Sequence, residues 1–91
     1  MLSSQDRKSL KARAHKLEPV VIIGAKGLTG EVIAEIDRAL TAHELIKVRA
    51  PSLERKERDQ AFSEICDKTR AEPVQQVGKV FILFRKNDEP A

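Results

Sequence analysis

Few side chains in this sequence have the types and spacing that covalent chemistry requires. His15 and His43 fall at the ends of two different predicted helices, and Cys66 lies on an apolar helical stripe. Nucleophilic catalysis needs a nucleophile and a base within hydrogen-bonding reach of each other, and these residues form no such pair. The HExxH, CxxC, Walker and calcium-loop motifs are also absent from the sequence. The sequence therefore predicts that the protein is not an enzyme and has no cofactor, no metal site and no small-molecule substrate.

The segment Gly24-Ala25-Lys26-Gly27 suggests binding rather than catalysis. It follows the apolar run Val20–Ile23 and precedes a helix that Thr29 can cap. Glycines let a backbone approach a partner closely, a helix N-terminus offers N–H groups to a phosphate, and Lys26 adds a full charge. KH domains clamp a nucleic-acid backbone with a GxxG loop in a similar setting. The alternative is a tight turn that needs glycines only for its own geometry.

Charge is unevenly distributed along the chain. Residues 1–29 contain six basic and two acidic side chains, whereas residues 30–46 contain one basic and four acidic ones. A basic end suits a polyanion such as RNA, although it is also consistent with a solvated surface or with an adaptor that docks an acidic protein. Because the chain has no Trp or Tyr and its three Phe fall in core patterns, we expect contacts with the RNA backbone and shape rather than base stacking.

Hydrophobic periodicity predicts seven elements in the order α-β-α-β-α-β-β. The predicted helices are capped by Ser3 or Ser4, Thr29 and Ser52, and the strands lie between and after them. The ranges are helix 3–15, strand 20–23, helix 29–42, strand 45–50, helix 52–70, strand 74–77 and strand 80–85. The run Val20–Ile23 is wholly apolar, so we expect it to be buried on both faces.

These elements predict an α/β protein of the two-layer α+β type with a four-stranded mixed sheet. The β-α-β steps give parallel neighbours, and the last hairpin adds an antiparallel strand. The last strand is apolar on both faces, which places it between the second and third strands. We expect one domain over residues 1–86 and a disordered tail over 87–91. No apolar run approaches the length of a membrane span and the N-terminus has no signal-peptide core, so a cytoplasmic protein without membrane association is expected.

Several short motifs together resemble one known family. They are Leu10, Ala14-His15, Leu17, Pro19-Val20-Val21, Gly24-Ala25-Lys26-Gly27-Leu28-Thr29, Ala34-Glu35-Ile36, Ala39-Leu40 and His43-Glu44-Leu45-Ile46-Lys47-Val48. The combination resembles a YhbY protein, the stand-alone bacterial form of the CRM (chloroplast RNA splicing and ribosome maturation) domain. The resemblance covers residues 3 to about 86.

The resemblance implies both a fold and a function. The fold would be similar to the C-terminal domain of bacterial translation initiation factor three. Family members bind RNA through the GxxG loop and neighbouring basic residues; bacterial members associate with precursors of the large ribosomal subunit, and plant relatives act in group II intron splicing. We therefore expect a ribosome assembly factor that binds structured precursor RNA of the large subunit. The expected RNA-binding residues are Gly24, Ala25, Lys26, Gly27, Thr29, Lys11, Lys16, Lys47 and Arg49.

Two positions depart from the family pattern. Many members have a polar residue such as asparagine before the second glycine, where this chain has Lys26. The lysine keeps or strengthens the phosphate interpretation. Many members also end in a basic tail, whereas this chain ends in Asn87-Asp88-Glu89-Pro90 before its last residue, so the resemblance leaves open whether the tail contributes to RNA binding.

Overall fold

A computed structural model describes residues 2–87 and contains the seven elements in the predicted order. They are α1 (Ser4–Ala14), β1 (Val21–Ile22), α2 (Gly30–His43), β2 (Leu45–Arg49), α3 (Arg55–Thr69), β3 (Glu72–Val77) and β4 (Val80–Phe84). The largest difference in bounds is at α3, which the sequence predicts to start after Ser52. Pro51 and Ser52 form a turn instead, and α3 is capped at Glu54, whose N–H donates to Oε1 of Glu57 at 2.8 Å.

The sheet has the strand order β1-β2-β4-β3. β1 pairs with β2 in parallel, and the other two pairings are antiparallel. This arrangement confirms the mixed four-stranded sheet and the central position of the last strand. In β4, Phe81 and Leu83 are buried on one face and Ile82 on the other, as the alternation of its side chains predicted.

Helices cover both faces of this sheet. α2 and α3 pack on one face around a core that includes Ile36, Leu40, Ile65, Phe81 and Leu83. α1 packs on the other face in a smaller cluster, made of Leu10, Ala14, Leu45, Val74 and Ile82. The α+β class is confirmed, but the two-layer description fits only the side of α2 and α3. The first helix adds a partial third layer, because the second face of the sheet also carries apolar side chains.

β1 differs from the sequence prediction, which expected burial on both of its faces. Val21 and Ile23 are buried at 2% and 0% exposure, but Val20 and Ile22 are 46% and 59% exposed. The short strand lies at the edge of the sheet, and the α1 cluster, centred on Leu45, Val74 and Ile82, does not include Val20 or Ile22. The expectation of two buried faces was therefore wrong.

Arg85 fastens the C-terminal end of β4 to the two neighbouring helices. The Arg85 Nη1 donates to Oδ1 of Asp37 at 2.6 Å and to the carbonyl of Thr69 at 2.8 Å. Its Nη2 donates to Oγ1 of Thr41 at 2.8 Å and to the carbonyl of Asp37 at 3.0 Å. We call this set of residues, Arg85, Asp37, Thr41 and Thr69, the Arg85 clamp. It closes the sheet against the C-terminal halves of α2 and α3.

The described chain continues past this clamp to Asn87, the first residue of the expected disordered tail. The Asn87 N–H donates to Oε2 of Glu44 at 2.9 Å, and its side-chain amide donates to the carbonyl of Thr41 at 2.6 Å. Asn87 is therefore attached to the domain. The rest of the expected tail, residues 88–91, lies outside the described residues.

Candidate nucleic-acid interface

The GxxG loop is a tight turn with an open outer surface. The Gly27 N–H donates to the Gly24 carbonyl at 3.0 Å, and Gly27 has a φ of 75°, which favours glycine. Gly24 needs no such conformation. A Cβ built on either glycine meets nothing within 4 Å, and Ala25 and Lys26 are exposed. Gly27 is therefore required by the turn itself, whereas the space above Gly24 is free for a partner.

Thr29 begins the helix that follows the loop. Its Oγ1 accepts a hydrogen bond from the Val32 N–H at 3.2 Å, which makes Thr29 the N-cap of α2, as predicted. This cap fixes the direction in which the chain leaves the loop. The exposed carboxylate of Glu31 lies in the first turn of α2. Its negative charge interacts favourably with the helix dipole, but it would repel an anion bound at the same helix end. Thr29 therefore serves to position the loop.

Backbone hydrogen bonds bring three connections together where β1 and β2 end and β4 begins. The Ile23 N–H donates to the Arg49 carbonyl at 2.8 Å, and the Ala50 N–H donates to the Lys79 carbonyl at 2.7 Å. The GxxG loop, the end of β2 and the β3–β4 turn therefore lie side by side. We call this region, residues 24–27, 49–50 and 78–79, the loop edge.

The loop edge presents three exposed cationic side chains: Lys26, Arg49 and Lys79. None of them donates a side-chain hydrogen bond or forms an ion pair with another residue in the range 2–87. Lys26 and Arg49 were predicted from the sequence, whereas Lys79 was missed. The Gly78-Lys79 turn and the expected central position of the last strand were the signal that could have placed Lys79 beside the end of β2.

The remaining predicted lysines lie on the α1 side of the sheet. Lys47 is half-buried, and its Nζ donates to the Leu17 carbonyl at 3.0 Å. It lines a groove of about 490 Å³ between α1 and the sheet, together with Lys11 and His15. Lys16 is exposed in the segment after α1 and lines neither the groove nor the loop edge. The structure thus brings Lys26 together with Arg49, and Lys11 with Lys47, whereas Lys16 follows His15 on the chain without lining the groove.

Two arginines near the start of α3 were not predicted as site residues. Arg55 and Arg58 line a shallow depression with Asp59, Gln76 and Gly78, next to the β3–β4 turn. Arg58 donates from Nη1 to the Leu53 carbonyl at 2.8 Å, while its buried Nε has no hydrogen-bond partner among residues 2–87. These arginines extend the positive charge of the loop edge toward α3.

The residues most able to do covalent chemistry, Cys66 and the two histidines, belong to three different helices or their caps. Cys66 is half-buried against the core, and burial raises the pKa of its thiol to about 11, so the nucleophilic thiolate is scarce at neutral pH. His15 lines the α1 groove, whereas His43 ends α2. Within the described part of the chain, no group of three or more His, Cys, Asp or Glu residues is placed to hold a metal ion. Likewise, no helix there has the length and apolar character needed to cross a membrane.

Comparison with known proteins shows the family. A family model described as the CRS1 / YhbY (CRM) domain matches residues 2–85. The chain is 42% identical over 89 residues to a "Probable RNA-binding protein" of Pseudomonas aeruginosa (98% of this chain, 86% of the relative). It is 41% identical over 88 residues to an "RNA-binding protein" of Haemophilus influenzae (97% of this chain, 89% of the relative). The structure is also similar to the solution structure of a hypothetical protein from Staphylococcus aureus, with a TM-score of 0.85 and 28% sequence identity. The alignment covers 100% of this chain and 95% of the Staphylococcus aureus chain. The chain therefore belongs to the CRS1/YhbY (CRM) domain family.

Proposed function

We propose that this protein binds RNA through the loop edge and acts as an assembly factor on precursor RNA of the large ribosomal subunit. The observation that carries the proposal is that the loop edge combines an open GxxG loop with three exposed cationic side chains. Relatives over almost the full length of the chain are named RNA-binding proteins, which supports the RNA part. The ribosomal part rests on the family resemblance.

The geometry suggests how the loop edge holds a phosphodiester backbone. The open space above Gly24 lets the sugar-phosphate chain approach the protein backbone closely. Lys26, Arg49 and Lys79 then neutralise adjacent phosphates. These side chains are exposed and keep all their N–H donors, so binding releases counterions without breaking interactions within residues 2–87.

The α1 groove extends this surface along the sheet. Lys11 is exposed there, and the Nζ of Lys47 uses one donor on Leu17 and keeps two others for a ligand. A protein with two adjacent basic strips and no Trp or Tyr suits one local site on a large folded RNA. We therefore place its action on the precursor subunit in the cytoplasm, without a cofactor.

Sedimentation of cell extracts tests this function. We expect the wild-type protein to migrate with immature large subunits and to be scarce on mature ribosomes and polysomes. The double variant Lys26→Ala/Arg49→Ala should move to the top of the sucrose gradient while it remains folded. The control Lys56→Ala/Lys68→Ala removes the same charge from α3 and should remain with the precursors. A wild-type protein found mainly at the top of the gradient, or with small subunits, would show that the assembly proposal is wrong.

The purified protein offers a simple second test. Because the chain has no Trp or Tyr, it absorbs almost nothing at 280 nm, so bound nucleic acid is easily detected at 260 nm. We expect a 260 nm peak that co-migrates with the protein and disappears after RNase treatment. If a protein partner co-purifies and RNase has no effect, the alternative of an adaptor for an acidic protein takes precedence.

A further inference from the structure

We infer that unpaired bases of the bound RNA lie on an open row of side chains on the sheet, next to the GxxG loop. This inference rests on the proposed RNA-binding function and adds the kind of RNA element that is recognised. The sequence predicted backbone contacts without a base platform. The structure provides a surface for bases that does not depend on aromatic residues.

The row crosses all four strands on the face that carries α1. In the sheet register Ile22 pairs with Arg49, Arg49 with Val80, and Val80 with Val77. Directly paired residues point to the same face of a sheet, so these four side chains form one continuous line across β1, β2, β4 and β3. We call Ile22, Arg49, Val80 and Val77 the open row.

The α1 helix leaves this row uncovered. Ile22 is 59% exposed and Val77 is 54% exposed, while Val80 is half-buried and Arg49 is exposed. The next row toward α1 contains Ile82, which is buried at 5% exposure. The large hydrophobic side chains exposed in the described chain are Ile22, Val77 and Val20, and Val20 precedes the same edge strand. Exposed apolar side chains gathered on one face are typical of a binding surface.

The chemistry of the row suits a nucleobase. A base has flat faces that pack against apolar side chains, and an arginine guanidinium stacks on such a face. Arg49 stands in the row between two aliphatic residues, so it can stack on a base or pair with the phosphate beside it. Glu18 is the acidic residue that lines the adjoining groove, whereas Lys11, His15 and Lys47 line it with basic side chains. The charge around the row therefore favours a polyanion.

Continuity with the loop edge favours RNA over an acidic peptide as the occupant. Ile22 is separated from Gly24 only by the buried Ile23, and Val77 and Val80 flank the Gly78-Lys79 turn. Arg49 belongs to both surfaces. A strand whose phosphates contact Lys26 and Lys79 is close enough to the open row to place its bases on it. Bases in a duplex face each other and cannot lie there, so the recognised element is an unpaired loop or bulge within a folded RNA.

The test compares two RNAs of equal length and charge: a hairpin with an unpaired loop and a blunt duplex. The variant Ile22→Ser removes an exposed apolar side chain without changing charge. We expect its affinity for the hairpin to fall about fivefold, at the lower end of the range for aromatic base-stacking contacts because an aliphatic side chain covers less of a base, while duplex affinity and the salt dependence stay unchanged. Val77→Ser should act in the same direction, and the conservative control Ile22→Val should bind almost like wild type. Circular dichroism checks that each variant is folded.

The variant Lys26→Ala separates failure of this inference from failure of the proposed function. If Lys26→Ala weakens binding of both RNAs but Ile22→Ser and Val77→Ser change neither, RNA binding stands and the base platform is wrong. Equal losses of affinity on hairpin and duplex would also overturn the platform, because a duplex offers no free bases. If RNA affinities are unchanged but Ile22→Ser abolishes binding of a co-purifying acidic protein, the row is a protein interface. If the wild-type protein binds neither RNA, the proposed function itself fails.

Discussion

The two ends of β4 use basic side chains in opposite ways. At the C-terminal end, the Arg85 guanidinium donates four hydrogen bonds to residues of α2 and α3, and its side chain is only 20% exposed. At the N-terminal end, Lys26, Arg49 and Lys79 are exposed and donate no side-chain hydrogen bond to other residues in the structurally described range. Residues of the same charge thus have different roles, which depend on how many partners the fold provides.

The physical reason is the balance between desolvation and pairing. A partly buried guanidinium stabilises a fold only when its donors are satisfied, since an unsatisfied buried donor is costly. An exposed lysine contributes almost nothing to folding stability, but it keeps its donors for an anionic ligand. The comparison predicts that substitutions at the Arg85 clamp lower stability and that substitutions at the loop edge lower RNA affinity.

Arg85→Ala should have the largest effect. It removes four hydrogen bonds, one of them to the carbonyl of the buried Thr69, while the exposed acceptors on Asp37 and Thr41 bind water instead, and we expect the free energy of unfolding to fall by about 2 kcal/mol. Urea titration followed by circular dichroism measures this loss. The control Lys68→Ala breaks the exposed ion pair with Glu64 and should cost less than about 0.5 kcal/mol. Equal losses of stability in the two variants would contradict the distinction between the two ends.

Lys26→Ala/Lys79→Ala should have the next largest effect, on binding rather than stability. Because two lysines that neutralise phosphates are removed, we expect RNA affinity to fall by about tenfold or more at low salt, and the slope of log affinity against log salt to become shallower by about two. Fluorescence anisotropy with labelled RNA over a salt series measures both quantities. Lys56→Ala/Lys68→Ala removes the same charge from α3. If this control weakens RNA binding as much, net charge rather than the loop edge determines affinity.

Thr29→Ala should have a smaller effect, on stability rather than on RNA binding, although Thr29 closely follows the GxxG loop. The variant removes the N-cap hydrogen bond to Val32, which should lower the free energy of unfolding by about 1 kcal/mol. We expect RNA affinity to change little, because Thr29 supports the loop from behind. Urea titration and anisotropy on the same sample check both statements. A large drop in affinity at unchanged stability would mean that the Thr29 hydroxyl contacts RNA directly.

Gly24→Ala should have the smallest effect, about a threefold reduction of RNA affinity with unchanged stability. The added Cβ meets no protein atom within 4 Å and the backbone of Gly24 is not left-handed, so only a closely approaching ligand can detect it. The matched variant Gly27→Ala places an L side chain at a φ of 75°, which should lower the free energy of unfolding by about 1 kcal/mol. Anisotropy and urea titration on both variants distinguish the two glycines. If Gly24→Ala binds RNA like wild type, the RNA backbone does not approach at that point.

Much of the fold could be predicted from the sequence because it depends on local patterns. The stripe of α2, the cap at Thr29 and the two apolar faces of β4 all follow from side-chain periodicity, and each is found in the structure. β1 is the main exception. An apolar run such as Val20–Ile23 looks the same whether a strand is central or at an edge, so the exposure of Val20 and Ile22 was not predictable from the run alone.

The candidate site also has features that the local sequence determines and features that depend on tertiary contacts. The sequence by itself determined the GxxG loop, its place between a strand and a helix, and the family, because these depend on neighbouring residues. Only the tertiary structure decided which cations remain available: it pairs Arg85 with Asp37, 48 residues away, fastens Lys47 to Leu17, and leaves Lys79 exposed beside Arg49. It also decided that Ile22, Arg49, Val80 and Val77 share an open face. Contacts between distant segments form only when the sheet assembles, so no local pattern in the chain encodes them.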